Sequence, residues 1–117
     1  MSAARYNLVI DQGSDFAVEF ALAENGSAKD LTSYSARAQM RTARTSPTAA
    51  ATFTCSIPTP TNGKINMTLS NATSTAVAAG RYFYDLEIFT AGDSSVTRLL
   101  QGEVNLTQEV TRYWQFL

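Results

Sequence analysis

The chain has no histidine and a single cysteine, Cys55, among its 117 residues. Without an imidazole, the common nucleophile–base triads, thiol–imidazole pairs and zinc sites have no members. A lone cysteine closes no disulfide within the chain. Its period-two neighbours Phe53 and Ile57 point it inward, as an inert core thiol. Charge is sparse too: nine basic and ten acidic side chains give a net charge of −1. The basic residues form no dense run, and phosphate backbones need a concentrated positive field, so nucleic acid is disfavoured as the main ligand. No apolar stretch nears the roughly 20 residues of a membrane-spanning helix, and the first residues lack the basic, apolar and small-residue order of a signal peptide. The expectation is a protein made in the cytoplasm, with no membrane partner. Triplets of the Asn-x-Ser/Thr type begin at Asn25, Asn66, Asn71 and Asn105, but a chain rich in Asn and Thr makes them by chance.

What the chain does have is alternation. From Gly80 to Leu106 it reads as one long antiparallel hairpin, with Tyr82, Tyr84, Leu86 and Ile88 on one face of the first arm. In the second arm Val96, Arg98, Leu100, Gly102, Val104 and Leu106 share a face, and Ala91-Gly92-Asp93-Ser94 supplies the reversal. Burying Tyr82, Tyr84, Leu86 and Ile88 is worth about 1.5–3 kcal/mol each, so this hairpin is the expected centre of the core. Arg98 is out of place in its row, which calls for a bulge beside it or a position at the wet end of the strand.

The rest of the chain is built against that hairpin. Tyr6 to Ile10 is a short apolar segment ending at Asp11-Gln12-Gly13-Ser14, where the chain reverses or passes to another sheet. Phe16, Val18, Phe20 and Leu22 then face one way and Asp15, Ala17, Glu19 and Ala21 the other. Asn25-Gly26 favours a tight turn, and Leu31 plugs one end of the core. Tyr34, Ala36, Ala38 and Met40 alternate with Ser35, Arg37, Gln39 and Arg41, so a basic stripe stands out from that strand and continues to Arg44. Residues 42–51 hold no large apolar side chain and are expected to be a solvated loop, the alternative being a helical turn started by the alanines after Pro47. Phe53 to Ile57 and Ile65 to Leu69 form a second hairpin, separated by the proline-containing stretch 58–63. The one helical segment runs from a Ser70 or Asn71 cap, with Ala72, Ala76 and Val77 at helical spacing, to an exit at Gly80.

Candidate chemistry is thin. Asp85 and Glu87 share a strand face at period two, but that pattern fits a wet face better than an acid pair. Asp11, Asp15 and Asp93 lie in turns, without the spacing of a calcium loop. No enzyme activity, cofactor or metal is expected. The residues with most to say are those suited to protein contact. Arg37, Arg41 and Arg44 form a basic face that either meets an acidic partner or pairs with Asp85 and Glu87 of a neighbouring strand. Arg112, Tyr113, Trp114, Phe116 and Leu117 concentrate aromatic and apolar area after the last strand, either as a strap on their own domain or as an anchor in an adjacent subunit. The anchor is the preferred reading, giving a domain over 1–107 and a tail over 108–117.

Taken together, several stretches carry a resemblance. They are Ile10-Asp11-Gln12-Gly13-Ser14-Asp15-Phe16, Asp30-Leu31-Thr32-Ser33-Tyr34 with Ala36 to Arg41, Ser70 to Ala79 followed by Gly80-Arg81-Tyr82-Phe83-Tyr84-Asp85-Leu86, and Val96 to Gly102 with Val110-Thr111-Arg112. In their order and spacing, the chain resembles small virion proteins of tailed bacteriophages that look like the immunoglobulin-like N-terminal domain of baseplate upper proteins. The resemblance implies an all-β antiparallel sandwich, immunoglobulin-like, of about seven or eight strands with one short helix before the last hairpin. It also implies a non-enzymatic structural role in the virion, with other virion proteins or further copies of the chain as partners. A tail or baseplate (fibre-attachment) component is preferred over a capsid decoration protein. A third expectation is a host-surface carbohydrate-binding module using Phe83 and Phe89 as stacking platforms.

Overall fold

The computed structural model describes residues 3–111. Its strands are β1 (Ala4–Arg5), β2 (Leu8–Asp11), β3 (Phe16–Ala21), β4 (Ala23–Glu24), β5 (Ser27–Ala28), β6 (Ser35–Arg41), β7 (Ala51–Ser56), β8 (Lys64–Leu69), β9 (Gly80–Phe89) and β10 (Val96–Thr107). Among the described residues the single α-helix, α1 (Asn71–Thr75), lies between β8 and β9. The protein is thus all-β, and its main strands form one curled half-barrel sheet in the order β1-β10-β9-β6-β7-β8-β3, with β2 also paired to β10. The short β4 and β5 make a separate hairpin around Asn25 and Gly26, both at positive φ as a tight primed turn requires.

The central hairpin is as the alternation predicts: Tyr82, Tyr84, Leu86 and Ile88 are all buried, together with Val104 opposite Tyr82 and Leu106 opposite Gly80. Arg98 opposes Glu87 while Leu100 opposes Leu86, so one extra residue is accommodated between them. That bulge turns Arg98 to the outer face and keeps Leu100, Gly102, Val104 and Leu106 pointing inward. Gly102 is there for space: a Cβ on it would lie 2.3 Å from the Tyr6 carbonyl oxygen. The same carbonyl accepts a 2.5 Å hydrogen bond from the Tyr84 hydroxyl.

β2 runs parallel to β10, and β3 lies at the far end of the strand order beside β8, so the Asp11–Ser14 turn carries the chain from one edge to the other. Side chains hold this turn. Gln12, buried, donates through Nε2 to the Val77 carbonyl at 2.8 Å and accepts through Oε1 from the Glu109 amide at 3.1 Å. The fully buried Ser74 hydroxyl donates to the Ser14 carbonyl and accepts from the Gly13 amide, each at 3.0 Å. Asp15 Oδ1 accepts from the Asn71 amide at 2.8 Å, and this holds its carboxyl below the usual aspartate range.

Two local expectations are adjusted. The helix ends at Thr75 with Ala76 as its cap rather than running to Gly80; Ser74 is its buried residue, Val77 is buried just beyond it, and Ala72 and Ala76 are exposed. At five residues α1 is held by its Ser70 cap and the Ser74 hydrogen bonds, not by an apolar stripe. Cys55 faces inward opposite Met67 but is half-buried, and desolvation pushes its thiol up to about 11. Leu31, fully buried, closes the core with its amide bonded to the Pro60 carbonyl, and residues 42–50 form a loop without helix or strand.

Candidate docking face

The outer face of β6, β9 and β10 collects three of the sequence-predicted contact residues, Arg37, Arg41 and Arg44. Direct cross-strand pairing sets Arg37 beside Glu87, Gln39 beside Asp85 and Arg41 beside Phe83. On the other side of β9, Arg98 is beside Glu87 and Gln101 beside Asp85. Inward side chains alternate with these, so the row is a direct product of the period-two pattern.

Arg37 is fully engaged within its own domain. It bonds Glu87 through Nε, reaches Asp93 through Nη1 at 3.3 Å, and stacks over the Phe89 ring at 4.2 Å. The bond to Glu87 raises its already high pKa. Arg41 donates to the Ser46 carbonyl at 3.0 Å and to Gln39 Oε1 at 2.9 Å, and Arg44 lies over Phe83 at 4.8 Å. Among the described residues neither Arg41 nor Arg44 makes a direct ion pair. Arg98 pairs with Asp85 at 3.4 Å and bonds Gln101. Arg41, Arg44 and Arg98 border an open groove of about 330 Å³, floored by Phe83 and Asp85, with Arg41 and Arg44 on one side and Arg98 on the other.

Burial raises the Asp85 pKa and the nearby Glu87 adds to this, while Arg98, Arg41 and Arg44 oppose the rise. The groove therefore holds one reluctant carboxylate against three guanidinium groups. Such a surface suits an incoming acidic or amide-bearing segment, since arginine forks bind carboxylates in a fixed planar geometry. Asp85 and Glu87, side by side in sequence pattern, are each tied to a different arginine. Asp11, Asp15 and Asp93 bond to Thr107, Asn71 and Arg37, and no group of three or more potential metal ligands occurs among the described residues.

The structure therefore brings Arg37, Arg41 and Arg44 to one face and adds Arg98 through the bulge that its misplaced charge called for. The signal for Arg98 was the misfit of a charged residue among apolar ones. Arg112, Tyr113, Trp114, Phe116 and Leu117 lie outside the described residues. Gln12 and Ser74 had no legible signal, because a buried polar side chain looks like any turn residue until its partners are known.

No protein-family model matches the chain, and no curated protein matches it. Among solved structures the chain is similar to a family 123 glycoside hydrolase from Clostridium perfringens, at 12% identity and a TM-score of 0.40, over 94% of this chain and 24% of that one. The chain thus spans about a quarter of the length of that structure.

Proposed function

We propose that the chain is a non-enzymatic structural module of a tailed-bacteriophage particle, a tail or baseplate component held in many copies. The observation that carries this reading is the shared order and spacing of the stretches that resemble baseplate upper proteins. Two of them, Ile10 to Phe16 and Ser70 to Ala79, are about 60 residues apart in sequence yet meet in one hydrogen-bonded junction through Gln12, Gly13, Ser14, Asp15, Asn71, Ser74 and Val77. Residues that depend on each other structurally are the ones a family pattern keeps together.

The immunoglobulin-like sandwich belongs to the same proposal. β7 divides its ladder, pairing Ala51 to Phe53 with β6 and Thr54 to Ser56 with β8, which favours a fold of the curled sheet into two layers. The Phe16–Phe53 ring contact then bridges the layers, while Phe53 also meets Tyr84 within its own layer, and β2 lies parallel to the last strand on its edge.

Docking uses the Arg41, Arg44 and Arg98 groove. Repetition of the module multiplies modest contacts into firm attachment. Phe83 and Phe89, the platforms a sugar-binding reading needs, lie under Arg44 and Arg37, which leaves protein contact the better fit. The experiment is incorporation: purified particles should contain the chain, and Arg41→Glu with Arg44→Glu should cut its copy number by about tenfold or more. Its absence from purified particles contradicts the particle reading; undiminished incorporation of the double variant contradicts the docking face.

A further inference from the structure

The Arg41, Arg44 and Arg98 groove holds more positive charge than its own side chains neutralise. Asp85 on its floor is faced from every neighbouring element: by Gln39 and Arg41 of β6, by Arg44 of the loop over 42–50, and by Arg98 and Gln101 of β10. The other acids close by are already engaged. Glu87, two residues along β9, is paired with Arg37, and Glu103, beside Phe83 on β10, is paired with Arg81 at 3.3 Å. Three guanidinium groups therefore share one carboxylate.

Those guanidinium groups keep donors in reserve, since each carries five N–H groups. Arg44 stacks over Phe83 and makes no hydrogen bond among the described residues, and Arg41 uses one donor on the Ser46 carbonyl and one on Gln39. Arg98 meets Asp85 through Nε, at 3.4 Å, with both side chains about half-exposed. A single long contact open to water is weak, so another carboxylate can take its place. Burial already disfavours the charged form of Asp85, and Arg98 is the foremost of the charges that hold it ionised. Taking Arg98 away therefore favours proton uptake by Asp85.

Resting on the docking reading above, we propose that the groove takes an acidic peptide segment of the neighbouring protein, one of whose carboxylates displaces Asp85 from Arg98 while Asp85 takes up a proton from solvent. The incoming carboxylates meet Arg41, Arg44 and Arg98, whose planar forks match them. A nucleic acid is the poorer fit, because its evenly spaced phosphates need a wider basic surface than a groove with Asp85 on its floor and Glu87 and Glu103 nearby. Docking then tightens as the pH falls, since protonated Asp85 no longer competes for Arg98. The chain has no histidine, so ordinary side-chain values leave the interval from about pH 5 to about 6.5 without a second titrating group.

Binding of end-blocked peptides to the full chain, at one fixed low salt concentration, tests it. The probe is a hexapeptide alternating glycine and aspartate, whose carboxylates remain largely ionised at about pH 5. Its asparagine counterpart and a short single-stranded oligonucleotide are the comparisons. The aspartate peptide should bind about tenfold or more tighter than the asparagine peptide, about threefold or more tighter at about pH 5 than at about pH 6.5, and about threefold or more weakly to Arg44→Gln. Asp85→Asn should bind it without pH dependence over that interval, and at the upper pH more tightly than the parent. On the unaltered protein, calorimetry in two buffers of different ionisation enthalpy should show proton uptake on binding. Equal affinity at the two pH values, the same pH dependence in Asp85→Asn, or no proton uptake overturns the displacement of Asp85. Equal binding of the asparagine peptide, tighter binding of the oligonucleotide, or no binding of the aspartate peptide overturns the acidic partner. The docking face itself stands or falls separately, by incorporation of the Arg41→Glu, Arg44→Glu variant into particles.

Discussion

At the scale of single residues, the most consequential are small or polar. Gln12 satisfies the Val77 carbonyl and the Glu109 amide from a buried position, so Gln12→Ala leaves both without that partner. Loss of such a buried group costs about 1–3 kcal/mol, and a urea titration should show the midpoint fall accordingly. Gly102→Ala should cost at least as much, about 2 kcal/mol or more, because its neighbour is the Tyr6 backbone and cannot rotate away. A variant as stable as the parent would show that β1 and β2 are not held against β10 as described. Cys55 makes a kinetic prediction: with its thiol pushed up to about 11 by burial, alkylation at neutral pH should be slow in the native protein and fast after unfolding. The inward thiol was legible from Phe53 and Ile57, but the roles of Gly102 and Gln12 were not. Gly102 sat in an apolar row as an unexplained gap, and Gln12 read as part of a turn.

Elements were easier to read where side chains alternate across a sheet. The β9–β10 hairpin, the β7–β8 hairpin, the Asn25–Gly26 turn and the loop over 42–50 follow from the sequence because period two and turn chemistry act locally. α1 was misjudged at its end, since its alanines are exposed and its hold on the fold is the Ser74 hydroxyl. The direction of β2 was also hidden: pairing parallel to β10 depends on a partner about 96 residues away. The Asp15 carboxylate ties β3 to α1. Because its folded pKa is lowered by the Asn71 amide, its contribution is present above the ordinary aspartate value of about 3.9 and fades as pH falls through the lowered value. Asp15→Asn should therefore be less stable than the parent at neutral pH and lose less on acidification, as thermal melts across that range would show. Parallel melting curves for the two proteins would remove the linkage.

For the whole molecule, the docking face was half legible. The Arg37–Arg41–Arg44 stripe came from alternation, but its engagement with Glu87, Asp93, Phe83 and Phe89, and the arrival of Arg98, needed the β6–β9–β10 register and the bulge. Asp85 has the opposite sign from Asp15. Its folded pKa is raised by burial, so its contribution is favourable below the ordinary carboxylate range and is lost as pH rises through the raised value. Asp85→Asn should change neutral-pH stability by no more than about 0.5 kcal/mol, because the Arg98 pair is solvent-screened, while weakening any pH dependence of docking. The most direct test of the proposed structural role is a cryo-electron microscopy reconstruction of the tailed-phage particle to which the proposal assigns the chain. The account predicts repeated β-domain density at the tail or baseplate, with the Arg41, Arg44 and Arg98 groove turned toward a neighbouring protein. Particles without that density, or with the groove facing solvent in every copy, would contradict it.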